Sequence, residues 1–424
     1  MENVIDALAA RGFIDQMTSP DLREVVRKPI SVYLGFDPTS DSLHLGNLVG
    51  IIALAWFQKF GHTAYALIGG ATGRIGDPSG KSNERPLLSD DALAFNVSSI
   101  TCFLKKILDF PKGPKPLVVN NNDWLGKVSL IDFLRDTGKH FRVGPMLAKE
   151  SVRSRLQSED GMSFTEFSYQ LLQGYDFYHL SQAYGVSLQM GGSDQWGNIT
   201  AGIEFNRKLK GDSIYGLTFP LLTRSDGKKF GKTEEGAIWL SADKLSPYHF
   251  YQYLVRVPDA DVIRLLKMLT FIDLEEILGI EALMHTPDYV PNYAQKKLAE
   301  AVTLFVHGEE GLQAALKVTE GMMPGGTEVR LSGSMLSELA SDMPHVKVVR
   351  ADVIGQKFVD LALKIGLIPS KAEGVRLIKN GGAYLNNERV SEPSCVIGED
   401  HLIDRTYLLL SAGKKKRILV EIEN

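Results

Sequence analysis

The sequence predicts an α/β fold: a parallel sheet with helices on both faces, then a helical region, then a small separate unit at the C-terminal end. Three observations carry this reading. In the first half, short continuous apolar runs alternate with longer helical patterns, as in a parallel sheet buried on both sides. From about Ser246 onward, apolar residues recur at three- and four-residue spacing, which is helical. The breaker-rich stretch Gly321-Met322-Met323-Pro324-Gly325-Gly326 then sets the rest of the chain apart.

Ser31–Phe36 reads as the first buried strand and residues 43–60 as the helix that follows it. Residues 65–68 form a second strand ending in Gly69-Gly70, Leu117–Asn120 a third, and residues 186–190 a fourth, followed by Gly191-Gly192. Ligands of such sheets bind outside the carboxyl ends of the strands, and here those ends carry Gly or small polar residues. Residues 248–257, 259–270, 273–278 and 291–305 read as helices. The expected organisation is a sheet domain over residues 1–225, a basic loop and helical domain over 226–320, a linker over 321–350 and a small domain over 351–424. The last seventy residues hold 11 Lys and Arg against 9 Asp and Glu, a local balance of +2.

A chain of 424 residues has room for two to three domains. At 44% hydrophobic and 23% charged it can build a sizeable core, which excludes a wholly disordered protein. With 47 basic and 51 acidic residues the net charge is −4, so a nucleic-acid partner would have to be held by a local patch. Cys102 and Cys395 stand far apart and outside any Cys/His cluster, which argues against a disulfide framework or structural zinc and for a reducing cytoplasm. The first residues are acidic where a targeting peptide would be basic. The longest apolar run, residues 48–57, is half of the ~20 that a membrane helix needs. The expectation is a soluble intracellular protein.

Five segments carry chemistry. Residues 69–82, rich in glycine, suggest a phosphate loop, but position 75 is Ile where a P-loop needs Gly, and the glycine spacing also fails the dinucleotide fingerprint. What remains is a loop with Asp77, Lys81 and Arg85; taken alone, a solvated loop explains it equally well. Residues 37–47 join the first strand to a helix whose first turn holds His44 and Asn47 on one face. Free N–H groups there favour an anion, and Gly46 allows close approach. Tyr169, Gln173 and Asp176 form one polar stripe on a helix otherwise apolar almost all round, so they need partners that a polar ligand could supply. Gly191-Gly192-Ser193-Asp194 places an acid where it could accept from a ribose hydroxyl. Residues 225–233 form a basic, glycine-punctuated loop whose Lys229 and Lys232 could close on phosphates.

In combination these segments gain specificity. His44-Leu45-Gly46-Asn47 resembles the HIGH signature of class I aminoacyl-tRNA synthetases, and Lys229-Phe230-Gly231-Lys232-Thr233 resembles their KMSKS loop. Tyr33, the Gly-Gly-Ala-Thr-Gly-Arg-Ile-Gly-Asp segment, the Tyr169 stripe and Gly-Gly-Ser-Asp-Gln-Trp-Gly-Asn resemble the tyrosyl-tRNA synthetases. Residues 366–387 are similar to the S4 RNA-binding domain carried by bacterial-type members. The resemblance covers nearly the whole chain. It implies a Rossmann-like doubly wound parallel sheet, a helical anticodon-binding-like domain and an α+β S4-like domain.

It also implies roles. Tyr33 and Asp176 would bond the phenolic hydroxyl of tyrosine, while Asp77, Tyr169 and Gln173 would hold its ammonium, with Asn121 and Trp124 behind them. Gly192 and Asp194 would take the ribose of ATP, with Gly35 and Gly46 beside the nucleotide. Asp37 and Gln195 would line the space between the substrates. Thr39, His44, Asn47, Lys81, Arg85, Lys229, Lys232 and Thr233 would surround the phosphates. Arg376, Lys379, Lys414, Lys415, Lys416 and Arg417 would contact tRNA(Tyr). Asn47 departs from the signature, which has a second histidine there, and Asn122 replaces an aromatic. The implied partners are L-tyrosine, ATP with Mg2+, tRNA(Tyr) and a second copy of the chain, with no resident metal and no membrane.

The implied chemistry needs no nucleophile–base pair, because the tyrosine carboxylate is itself the nucleophile. Preorganised donors around the phosphates would supply the catalysis. Phenylalanine would leave Tyr33 and Asp176 without a hydroxyl partner, a costly state when buried. Alternatives are a tryptophanyl-tRNA synthetase, against which Tyr33 and Asp176 speak; a nucleotidylyltransferase, against which the C-terminal units speak; and a non-catalytic RNA-binding protein on the same scaffold.

Overall fold

A computed structural model describes residues 3–81, 88–109, 114–157, 161–211, 213–227, 229–233, 236–321, 331–340, 343–413 and 416–423. The chain divides into two compact units, Met1–Gly308 and Glu309–Asn424.

In the first unit, helix α1 (Val4–Ala10) precedes a two-residue strand β1 (Gln16–Met17). The expected strands follow as β2 (Ser31–Phe36), β3 (Thr63–Ile68), β4 (Leu117–Asn120) and β5 (Val186–Gly192), joined by β6 (Tyr215–Phe219). Their order is β1-β6-β5-β2-β3-β4, and all pairs are parallel except the edge strand β1. Parallel pairing demands crossovers, supplied by α2 (Leu45–Lys59), α3 (Asp90–Ile107), α4 (Phe164–Tyr184) and α5 (Trp196–Leu209). The chain runs from β2 to β3 on one side and returns to β5 on the other. The carboxyl ends of β2 and β5 therefore flank the point where strand order reverses, which is where such sheets open a crevice.

Helix α2 explains much of the stability of this unit. Leu48, Ile51, Ile52 and Leu54 are fully buried, each contributing roughly 1.5–3 kcal/mol. The helix begins at Leu45 rather than at 43 because His44, at φ −117° and ψ 170°, is its cap. After the sheet come the antiparallel pair β7 (Lys232–Thr233) and β8 (Gly236–Ala237), then α6 (Pro247–Val255), α7 (Asp259–Leu269), α8 (Leu274–Leu283) and α9 (Tyr293–Gly321). The last range is two helices joined across the non-helical Gly308 (φ 72°, ψ −176°), where the two units also divide, so the first of them ends within a few residues of the expected 305.

In the second unit, the range expected to be a linker holds structure. Helix α10 (Gly333–Leu339) and strand β9 (His345–Val349) lie within it. The alternating His345-Val346-Lys347-Val348-Val349 adds itself parallel to β13 (Lys416–Glu423), a pairing 74 positions away that no local breaker signal reveals. The sheet order is β11-β10-β12-β13-β9, with β10 (Ala383–Leu385), β11 (Glu388–Arg389) and β12 (Tyr407–Ala412). Helices α11 (Phe358–Lys364) and α12 (Lys371–Lys379) close a core of Phe358, Leu361, Ile378, Leu408, Leu410 and Val420. No described helix is long and apolar enough to cross a membrane.

Candidate active site

The crevice at the strand ends is a cavity of about 450 Å³, within the range that holds a small polar ligand. Its lining gathers residues from all five sequence segments: Tyr33, Gly35, Asp37 and Thr39 from β2 and its loop; His44, Gly46 and Asn47 from the start of α2; Asp77 and Lys81; Tyr169, Gln173 and Asp176 from α4; Gly192, Asp194 and Gln195 after β5; and Lys229 and Lys232. Arg85, Lys414 and Lys415 lie outside the described residues, as does the side chain of Thr233, whose backbone belongs to the short strand Lys232–Thr233.

One end of the cavity is built by α4. Its polar stripe faces the strand ends, with Tyr169 and Asp176 buried. Asp176 accepts from Asn121 Nδ2 at 2.9 Å through one oxygen and from Trp124 Nε1 at 2.7 Å through the other. Burial pushes its carboxyl up to about 7, and these two donors oppose the rise. Tyr33, 1% exposed, has a hydroxyl with no hydrogen-bond partner among the described residues. Burial, reinforced by Asp176, holds that phenol well above its ordinary range. A buried hydroxyl without a protein partner in a polar cavity is placed to bond a ligand atom.

Asn121 and Trp124 therefore stand behind Asp176, not behind the trio Asp77, Tyr169 and Gln173 where they were expected. The turn after β4 tucks Asn121 under the loop after β3, where its Oδ1 accepts from Ala71 N at 2.8 Å. The trio has its own web. Gln195 donates to Asp77 at 2.7 Å, Asn198 donates to Gln173 at 3.0 Å, and Gln173 donates to Gln195 at 3.3 Å. Tyr169 is bonded instead to Asp37, at 2.8 Å. Burial first, and Asp37 next, push its phenol well above the usual range, so it remains a donor.

At the other end, α2 points its N-terminus at the cavity. Gly46 N donates to His44 Nδ1 at 3.1 Å, and His44 N donates to Asn47 Oδ1 at 3.0 Å, closing a capping box. Asn47 thus spends its carbonyl on the cap, leaving its amide donors for the cavity. The basic loop is tied to this helix start. Leu45 N donates to Ile238 O at 2.8 Å and Leu240 N to Leu43 O at 2.9 Å. Gly231, at φ +79°, packs so tightly that a Cβ would sit 2.9 Å from Leu45 Cβ. Asp194 faces Gly80 across the crevice, and burial, reinforced by Asp77, raises its carboxyl.

Sequence reasoning did not single out Thr72, Gln189 or Asn198. Thr72 and Asn198 lay inside segments already quoted as motifs. Gln189 carried only its place opposite Tyr33 on the neighbouring strand.

Comparison with known proteins decides between the tyrosine and tryptophan readings. Residues 26–323 match the family model described as class I tRNA synthetases (W and Y), which contains both. Residues 335–420 match the tyrosine–tRNA ligase SYY-like C-terminal domain. The chain belongs to the tyrosyl-tRNA synthetase family. It is 54% identical over 423 residues to the tyrosine–tRNA ligase of Protochlamydia amoebophila, covering 100% of this chain and 99% of that one. It is 52% identical to the chloroplastic/mitochondrial tyrosine–tRNA ligase of Arabidopsis thaliana, covering 99% of this chain and 84% of that one. Its structure superposes on a C-terminally truncated mitochondrial tyrosyl-tRNA synthetase of Aspergillus nidulans with a TM-score of 0.65 and 33% identity, over 74% of this chain and 92% of that one. As a tyrosine–tRNA ligase the chain has tyrosine, ATP and tRNA as its substrates.

Proposed function

We propose that the cavity performs tyrosine activation with the residues assigned as follows, and that the second unit helps to present tRNA(Tyr) to it. The phenolic hydroxyl sits between Tyr33 and Asp176, and the ammonium among Asp77, Tyr169 and Gln173, with Gln195 and Asp37 at the junction with the nucleotide. The ribose of ATP lies on Gly192 and Asp194, beside Gly35 and Gly46. Thr39, His44, Asn47, Lys81, Lys229 and Lys232 surround the phosphates, together with Arg85 and Thr233. Magnesium belongs to the substrate and arrives on the ATP phosphates, where it screens the leaving group.

In the first step a tyrosine carboxylate oxygen bonds to the α-phosphorus and the bond from that phosphorus to the β-phosphate bridging oxygen breaks, releasing pyrophosphate. Charge gathers on oxygens that the α2 N-terminus and the lysines face, and donors fixed before the reaction lower its barrier most. In the second step the terminal ribose hydroxyl of tRNA(Tyr) attacks the tyrosyl carbonyl and AMP leaves.

The observation that supports this assignment above all is the buried Tyr33 hydroxyl, without a protein partner among the described residues, in the same cavity as the buried Asp176 carboxylate. A crystal structure of the protein with L-tyrosine tests it: the phenolic oxygen is expected about 3 Å from both Tyr33 Oη and Asp176. A ring oxygen turned toward Asp77 instead would overturn the assignment.

For tRNA, the support is local charge. Arg376 and Lys379 are exposed on α12, and Lys416 is exposed at the start of β13 beside Arg417, in a chain that is acidic overall. For a homodimer the support is a set of exposed apolar side chains within residues 130–164: Leu130, Ile131, Val143 and Phe164 stand 59–77% exposed. Two free cysteines suit a cytoplasmic location.

A further inference from the structure

Between the two ends of the cavity runs a chain of hydrogen bonds, buried at Thr72, Asn121 and Asp176 and half-buried at Asp37. Tyr169 Oη donates to Asp37 Oδ2 at 2.8 Å, and Thr72 Oγ1 donates to Asp37 Oδ1 at 2.8 Å. Asn121 Nδ2 donates to Thr72 Oγ1 at 2.9 Å and to Asp176 Oδ2 at 2.9 Å. Thr72 and Asp176 are each 2% exposed and Asn121 is 0% exposed, so water does not substitute for a missing link.

The chemistry of the links fixes their direction. A carboxylate only accepts, so the single Thr72 hydrogen goes to Asp37, and its lone pair is left for Asn121. Asn121 then spends its two amide hydrogens on Thr72 and Asp176 and its carbonyl on Ala71 N. Every member is satisfied in one arrangement alone, and a fully satisfied buried network holds a single geometry. Packing enforces the same geometry: a Cβ on Gly69 would lie 2.0 Å from Asp37 Oδ1 and 2.4 Å from Thr72 Oγ1.

We infer that Thr72 is a positioning residue for amino-acid selection, its hydroxyl locking the Asn121 amide that aims Asp176 at the phenol and tying that end of the pocket to Asp37 at the nucleotide end. The inference rests on the assignment of Asp176 to the phenolic hydroxyl. It goes further in giving selectivity to a residue that acts only through its neighbours.

The test compares Thr72→Val, which keeps the shape and loses the hydroxyl, with Thr72→Ser, which keeps the hydroxyl and loses a methyl group. The readout is kcat/KM for tyrosine and for phenylalanine in ATP–pyrophosphate exchange, with melting temperatures measured alongside. Thr72→Val is expected to lower the tyrosine-over-phenylalanine ratio about tenfold, the size expected when one buried donor loses its partner. Thr72→Ser is expected to restore the ratio to within about threefold of the parent protein, whatever either does to melting. An unchanged ratio in Thr72→Val overturns the inference, and so does an equal loss in both variants, which would mark a packing role. Should Thr72→Val not fold, Thr72→Ala takes its place against Thr72→Ser under the same criteria. Failure of the underlying assignment shows separately, as an Asp176→Asn variant that keeps the parent's ratio for tyrosine over phenylalanine.

Discussion

In the proposed assignment Asp176 accepts from a phenol while it is itself buried. Burial raises its carboxyl to about 7, against the pull of the Asn121 and Trp124 donors. Below that value the free protein carries a protonated Asp176, and a tyrosine hydroxyl that donates to the carboxylate must first displace the proton. The specificity constant for tyrosine in pyrophosphate exchange is therefore expected to rise with pH up to about 7 and then level, falling about tenfold per unit on the acid side. Phenylalanine, with no hydroxyl to donate, has no such step, and Asp176→Asn removes it for tyrosine; a step that persists in Asp176→Asn would contradict this. At this scale, the sequence showed the residues that a helical period groups. Tyr169, Gln173 and Asp176 stand on one stripe of α4 as their spacing said. Partners set by folding stayed hidden: Thr72 meets Asp37 across 35 positions and Asn121 meets Asp176 across 55.

The elements were legible in proportion to how far local pattern decides them. Four strands with continuous apolar runs and the buried helix α2 stand where their composition put them, because both faces of the sheet are covered. The two-residue β1 and strand β9 were not legible. β1 is held by β6 some two hundred positions later, and β9 by β13, so their strand character comes from a partner and not from their own run. The helix start was legible to within two residues from the turn residues before it, but not that His44 itself is the cap. What the sequence left open was the bridge from that cap to residues 238–240, which seats the lysine-bearing loop beside the phosphate end. This bridge explains why the two signature segments, nearly two hundred residues apart, can serve one site.

At the scale of the whole molecule, the pocket and the basic residues proposed for tRNA belong to different units. The complete cavity belongs to the unit Met1–Gly308, and the basic residues of α12 and β13 to the unit Glu309–Asn424. A chain ending at Gly321 is accordingly expected to keep tyrosine-dependent pyrophosphate exchange within about twofold while its aminoacylation of tRNA(Tyr) falls roughly tenfold or more, since phosphate contacts are lost. Parallel assays of the two reactions on the shortened chain check this, and equal losses in both would contradict the division of labour. The shortened end lies at 321 and not at 350 because a chain ending at 350 would keep the edge strand β9 while losing β13, the strand it pairs with.

The account stands on the recognition of a phenol by Tyr33 and Asp176. Its most direct measurement is the ratio of kcat/KM for tyrosine over phenylalanine in pyrophosphate exchange, taken for the parent protein, Tyr33→Phe and Asp176→Asn. Each replacement removes a buried partner of the hydroxyl, and the ratio is expected to fall between about 5- and 150-fold. A ratio that stays at the parent value in both variants would contradict it.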